Sequence, residues 1–216
     1  MSNYSYEYPR PALTADLIVL RWSRGELQVL MIERERDPFR GMFALPGGFI
    51  DANEAPRDAA TREILEETGV TVTPESLIEV GVFGDAGRDP RGWTVSVTFV
   101  ALLTDEQEAQ AGDDAASVAW ISWSSLCQQQ HELAFDHQEM INRAQVRLTE
   151  TSLLSPWLLK ILGPRFRYRH ARHLYRQISG KEIAPRTFKG WLRKHEALER
   201  VGRALYRARD TLKRPW

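Results

Sequence analysis

Apolar residues recur along this chain with two different periods, and the change from one to the other divides the molecule. From Leu13 to Ile50 the pattern is strand-like. Ala15–Trp22 and Leu27–Ile32 are rich in β-branched residues and leucine, with turn chemistry at Arg24-Gly25 between them. Phe43–Leu45 leads into Pro46-Gly47-Gly48. Pro56–Thr68 then reads as a helix, with Pro56 suited to its first turn and Gly69 to the position just past its end. Strands are predicted again at Leu77–Phe83, Thr94–Leu103 and Ser117–Trp123, and Asp136 can N-cap a helix running to about Thr149. Strands with few, dispersed helices predict a mixed α/β domain.

Beyond Ser155 the period becomes helical. Ser155-Pro156 opens a short helix that Gly163-Pro164 stops. Ala171, Leu174, Tyr175 and Ile178 follow at i, i+3, i+4 and i+7, and Gly180 terminates that helix. Pro185 opens a third helix, to about His195. Two short strand-like pieces follow, Leu198–Val201 and Ala204–Tyr206, joined by Gly202-Arg203. Helix, helix, turn, helix and hairpin is the order of a winged helix-turn-helix. The predicted division is a domain over residues 1–152 and a second over 153–216.

Charge sharpens that division. Over all 216 residues, 29 Lys+Arg and 29 Asp+Glu cancel. Residues 1–155 carry 12 arginines, no lysine and 25 acids, a net of −13, whereas residues 156–216 carry 17 bases and 4 acids, a net of +13. An acidic block joined to a basic one signals two tasks, one of them on nucleic acid or another acidic surface. No apolar run approaches the roughly 18–20 residues of a membrane helix. The N-terminus lacks the basic and apolar regions of a signal peptide, and the single cysteine, Cys127, allows no internal disulfide. Together these predict a cytoplasmic chain without membrane contact.

The predicted helix over 56–68 carries the chemistry. At about 100° per residue, Glu63, Glu67 and Glu66 sit near 0°, about +40° and about −60°, so three carboxylates crowd one arc. Without a cation they would raise one another's pKa, and a hard, oxygen-preferring divalent ion such as Mg²⁺ or Mn²⁺ relieves that repulsion. Such an ion suits diphosphate oxygens. Gly47-Gly48 lets the backbone approach closely.

The segment GGFIDANEAPRDAATREILEETGV resembles the signature of the Nudix hydrolases. Gly48, Glu54, Arg62, Glu63, Ile64, Glu66, Glu67, Gly69 and Val70 fill its specified positions. The resemblance implies an α/β/α sandwich domain, here followed by the small winged helix-turn-helix, an α+β chain overall. It implies that the Gly48 carbonyl, Glu63, Glu66 and Glu67 bind metal, that Glu63, Glu66, Glu67 and Arg62 form the catalytic set, and that Arg62 orients a glutamate by ion pairing. Glu54 reads as structural or auxiliary. The general base stays open among Glu66, Glu67 and loop acids such as Asp113, Asp114 or Glu132.

Residues 33–48 and 84–103, with Phe135-Asp136-His137, resemble a branch of ADP-ribose pyrophosphatases that includes the Nudix-related transcriptional regulators of NAD metabolism. That resemblance implies hydrolysis of ADP-ribose to AMP and ribose 5-phosphate, or sensing of it without turnover. Arg34, Arg36, Arg40, Arg88 and Arg91 are rare cations in an acidic block, and arginine forks suit a diphosphate; Arg34, Arg40, Arg88 and Arg91 are the substrate-binding candidates. Phe39, Phe43 and Trp93 are aromatic candidates for the adenine, and His137 reads as a capping or packing residue.

In the basic block, Phe188, Trp191, Leu192 and His195 gather on one side of the third helix, with Arg186, Lys189, Gly190 and Arg193 opposite. One face packs and the other is cationic, as in a recognition helix in a major groove of double-stranded DNA. Arg203 and Arg207 can add phosphate contacts from a short wing, and the run Arg165-Phe166-Arg167-Tyr168-Arg169 alternates base and aromatic. Reading of two half-sites favours a homodimer. The competing expectation for the basic block is docking on the acidic domain.

Overall fold

The computed structural model describes residues 7–112 and 115–209, leaving Asp113 and Asp114 outside the described residues. In chain order its elements are β1 (Ala12–Ser23), β2 (Glu26–Arg34), β3 (Phe43–Ala44), β4 (Gly47–Phe49), α1 (Pro56–Thr68), β5 (Ile78–Phe83), β6 (Thr94–Leu103), β7 (Ala115–Ser122), α2 (Trp123–Cys127), α3 (His137–Leu154), β8 (Arg165–Arg167), α4 (Tyr168–Ser179), α5 (Pro185–Lys194), β9 (Leu198–Gly202) and β10 (Leu205–Ala208). Short 3₁₀ turns lie at Pro74–Ser76 and Pro156–Leu162.

β1 organises the larger sheet, of order β3-β2-β1-β6-β5. One edge pairs in parallel with β6 from Ala12↔Thr94 to Arg21↔Leu103. The other edge is shared: its C-terminal half takes β2 (Leu20↔Val29) and its N-terminal half takes β4 (Asp16↔Gly47). That shared edge brings Gly47-Gly48 to the middle of the sheet. β7 pairs with β2.

The period of two along β1 sends alternate side chains to opposite faces. Ala15, Leu17 and Val19 join Ala59, Ala60 and Ile64 of α1 in one buried cluster, while Ile18 and Leu20 join Met140, Ile141, Ala144 and Leu148 of α3 in another. A helix on each face makes the α/β/α sandwich. Each fully buried leucine or isoleucine contributes about 1.5–3 kcal/mol. α1 stops where Gly69 enters the left-handed region at φ 68° and its N–H bonds the Leu65 carbonyl at 2.9 Å.

Residues 156–209 hold a 3₁₀ turn, α4, α5 and a three-stranded sheet, an element order compatible with the expected winged helix-turn-helix. Ala171, Leu174, Tyr175 and Ile178 of α4 and Phe188 and Leu192 of α5 are buried over a three-stranded sheet of order β8-β10-β9. Their cluster is continuous with the α3 face of the large sheet, so a single apolar core runs through both parts of the chain.

Three details differ from the sequence expectations. The alternation Arg165-Phe166-Arg167 is a strand's period of two, with Phe166 buried against Tyr206 at a centroid distance of 6.1 Å and both arginines exposed. α3 continues past Thr149 to Leu154, and the hydroxyls of Thr149 and Ser152 bond back to carbonyls of the helix at 2.7 and 2.8 Å, which keeps these polar groups satisfied inside it. The hairpin turns at Arg203-Ala204, one residue later than expected, with Ala204 at φ 59°.

Candidate active site and nucleic-acid face

A cleft of about 380 Å³ opens where β1, β4 and α1 meet the loop before β6 and the start of α3. Arg62 ties its α1 wall together. Its Nε and Nη2 donate to the two Glu54 carboxylate oxygens at 2.8 and 2.9 Å, and Nη2 also donates to the Phe49 carbonyl at 3.0 Å. Its Nη1 donates to Glu63 at 2.7 Å and to Glu66 at 3.2 Å. Glu54 also accepts from the Asp51 amide at 2.9 Å, and these bonds, Arg62 foremost, hold its carboxyl down at about 2. The expected ion pair from Arg62 to a glutamate is thus one part of a five-bond knot, with Glu54 as its structural anchor.

Glu63 and Glu67 line the cleft. Burial pushes the Glu63 carboxyl up, outweighing the Arg62 bond. It packs so closely against Gly48 that a Cβ there would fall within its carboxylate. Glu67 is buried and accepts from the Gly47 amide at 2.9 Å. Glu66 stands at the rim, its side chain 58% exposed and outside the cleft's lining. The helical arc therefore brings two of the three carboxylates inward. Among the described residues no group of three His, Cys, Asp or Glu side chains is gathered as a metal cluster. The donor chemistry still fits a hard divalent cation: carboxylate and carbonyl oxygens, one carboxylate costly to ionise where it stands, and a glycine cradle closed to any larger residue.

The opposite wall is built from distant segments. Arg34, Arg88 and Arg91 line the cleft, as does Arg36, whereas Arg40 is exposed and outside it. Arg88, its side chain only 5% exposed, donates through Nε and Nη2 to both Asp136 oxygens at 2.8 and 2.7 Å. Burial pulls its pKa down, but Asp136 more than compensates and the net shift is upward. Arg91 forks onto buried Asp89 at 2.7 Å. His137 is buried; its Nδ1 accepts from the Leu45 amide at 2.8 Å, which leaves the proton on Nε2, facing Asp16 at 3.7 Å. Burial pushes this imidazole below its ordinary pKa despite Asp16. Asp16 also accepts from Ser96. Glu132 is exposed and away from the cleft lining.

Asp16, Asp89 and Phe135 are cleft residues that sequence reasoning missed, and His137 is both the packing residue expected and part of the lining. Of the aromatic candidates, Phe39 packs edge-on against Phe135 at 4.8 Å, Phe43 meets His131 at 6.4 Å and Trp93 is 58% exposed. None of the three lines the cleft; Phe135 and Phe49 do. The one visible signal for Phe135 was its place beside Asp136-His137.

On α5, Phe188 and Leu192 face inward and Arg186, Lys189 and Arg193 are exposed, as the periodicity requires. Lys189, Arg193, Arg200 and Arg203 converge with Tyr168 and Tyr206 on a hollow of about 250 Å³ between the helix and the hairpin. Arg207 lies outside the hollow's lining and pairs with Glu199 across the hairpin at 2.6 Å, whereas Arg200 lines the hollow.

This sandwich, with its glycine-cradled glutamate helix, defines a class. The chain belongs to the Nudix family, whose NUDIX domain model matches residues 11–144. It is 30% identical over 185 residues to the ADPR-responsive transcriptional repressor NtrR of Acinetobacter baylyi, covering 85% of this chain and 72% of that protein. It is 39% identical over 134 residues to an ADP-ribose pyrophosphatase of Methanocaldococcus jannaschii, covering 62% of this chain and 73% of that one. The structure of Shewanella oneidensis NrtR complexed with a 27mer DNA superposes with a TM-score of 0.72 at 27% identity, over 91% of this chain and 93% of that one. Among the described residues no helix is long and apolar enough to cross a membrane.

Proposed function

We propose that this chain is a divalent-metal-dependent hydrolase of the ADP-ribose diphosphate, yielding AMP and ribose 5-phosphate, whose C-terminal module binds double-stranded DNA as a homodimer and makes it a transcriptional regulator. The supporting observation is that Glu63 and Glu67, set by Arg62, line one cleft with four arginines, Arg34, Arg36, Arg88 and Arg91, on the facing wall. Glu63 and Glu67, with Glu66 and the Gly48 carbonyl by family resemblance, would hold Mg²⁺ or Mn²⁺. Such an ion supplies charge neutralisation at phosphorus and a more acidic water. The chain's own residues do the rest: Arg62 fixes the orientation of Glu63, and Arg34, Arg88 and Arg91 match the diphosphate charge. Asp113 or Asp114 remains eligible as general base, as do Glu66 and Glu67.

The alternative reading is an ADP-ribose sensor without turnover, favoured by the span of the NtrR likeness, which at 185 residues is longer than the Nudix domain alone. One substitution separates the two. Glu67→Gln keeps an oxygen for the Gly47 amide and removes the charge. It is expected to abolish Mg²⁺-dependent ADP-ribose hydrolysis while the thermal transition stays within a few degrees, a loss of about 10³-fold or more for a metal-site group. A wild type that binds ADP-ribose with no turnover establishes the sensor; unchanged turnover in the variant overturns the site assignment.

A further inference from the structure

Three consecutive residues at the start of α3 hold the cationic wall of the cleft. The Phe135 ring lies under the guanidinium of Arg34 at 4.8 Å and of Arg91 at 5.4 Å. Its backbone sits at φ 53°, a conformation that a bulky side chain adopts only when its surroundings over-determine it. Asp136 takes Arg88 by two hydrogen bonds, and His137 takes the Leu45 amide just ahead of Pro46-Gly47-Gly48.

Asp136 occupies the N-cap position of α3, yet its side chain makes no capping bond. The carboxylate is spent on Arg88 instead. An N-cap aspartate that leaves the helix N–H groups forgoes a bond that ordinarily stabilises the helix start. The Arg88 pair is charge-assisted, forked and largely buried, which makes it the stronger partner for this carboxylate. A bound diphosphate changes that balance. It offers Arg88 a second anion, and any share of the guanidinium it takes returns the carboxylate toward the helix terminus.

The other end of α3 meets the DNA-binding module. Thr149 reaches the Ile178 carbonyl of α4 at 3.5 Å, and Met140, Ile141, Ala144 and Leu148 share one buried cluster with Ala171, Leu174 and Ile178. One rigid helix therefore begins in the cleft and ends against the helix that precedes α5.

We propose that Asp136 is a positioning residue that presents Arg88 to the diphosphate and, by exchanging Arg88 for the N-terminus of α3, passes cleft occupancy to the DNA-binding module. This rests on the ADP-ribose reading above. The test uses full-length wild type and Asp136→Asn, which keeps a capping side chain and removes the charge. Steady-state hydrolysis of ADP-ribose with Mg²⁺ gives KM and kcat. Anisotropy of a labelled mixed-sequence duplex at low salt, with EDTA and with or without ADP-ribose, gives the ligand's effect on DNA affinity. The expected result is a KM raised about tenfold, with a smaller change in kcat, and loss of the ligand-dependent shift in DNA affinity. Arg88→Lys, which keeps the charge but not the fork, is expected to behave alike and serves should Asp136→Asn fail to fold. Wild-type KM together with a full ligand-dependent shift in both variants overturns the inference alone. A wild type that neither binds nor cleaves ADP-ribose brings down the functional reading and the inference with it.

Discussion

Adjacent glycines at 47 and 48 are predicted to fail in opposite ways when each is replaced by alanine. A Cβ on Gly48 would meet only the end of the Glu63 side chain, with Oε2 at 2.6 Å. Ordinary contact begins near 3.4 Å and Glu63 Cδ and Oε1 come closer still than Oε2, so the carboxylate must withdraw by about 1 Å. Gly48 is not in the left-handed region, so the backbone accepts alanine. The cost to the fold is that of an off-rotamer glutamate, about 0.5–1.5 kcal/mol. The cost to catalysis is larger, because a displacement near 1 Å at a reacting centre loses about 10²-fold. A Cβ on Gly47 would instead strike the β1 backbone, at the Ala15 carbonyl and at Asp16 Cα, 2.8 Å away. Neither atom can turn aside, so this is overpacking against a central strand, about 3 kcal/mol and a fall in Tm of roughly 6–12 °C. Calorimetry and Mg²⁺-dependent ADP-ribose hydrolysis distinguish them: Gly48→Ala is expected to be stable and inactive, Gly47→Ala unstable. A stable Gly48→Ala with wild-type turnover would refute the placement of Glu63 in the reaction.

Arg186→Ala combined with Arg193→Ala should weaken duplex binding and lower the slope of log K against log salt by about 1 per arginine that meets a phosphate; an unchanged slope would place DNA elsewhere. Burial pushes the Cys127 thiol up to about 12, so alkylation of the folded protein at pH 8 should run roughly 10³-fold slower than for a free thiol and quicken as pH rises toward that value. The same raised value means this group's contribution to folding is full at neutral pH and declines above about 8.5, the unfolded value. Labelling at the rate of a small thiol would show the site to be open. Leu174→Ala, a truncation of a fully buried α4 residue, should cost about 2–5 kcal/mol and lower a single thermal transition; two separated transitions with only one displaced would contradict the continuous core.

The α1 wall was legible because everything in it is local. Arg62, Glu63, Glu66 and Glu67 are within two turns of one helix, and helical geometry converts their spacing directly into shared space. Even so, the arc alone did not distinguish Glu67, drawn in by the Gly47 amide, from Glu66, left at the rim. On the facing wall the arginines at 34, 88 and 91 were legible as rare cations, but what holds them was not. It depends on Asp16 meeting Ser96 across 80 residues, Leu45 meeting His137 across 92 and Arg88 meeting Asp136 across 48. Such pairings follow from strand order, and β1's parallel match to β6 is the step that no local pattern announces. Asp136 illustrates the limit well: its helix-start position was readable, its actual partner was not. In the basic module the two faces of α5 followed from periodicity, whereas the Arg207–Glu199 ion pair depends on the register of β9 and β10, which no local pattern gives.

The core that runs without interruption from β1 through α3 to α4 has a consequence for how such a chain can be altered. The two parts have no seam. A chain cut after α3 would show water the apolar side of a helix that now lies between sheet and α4, and would tend to self-associate. Grafting the basic module onto another enzyme would need that helix face carried along with it. What differs along the primary structure as a change of charge sign is, in the folded protein, joined by one continuous apolar core.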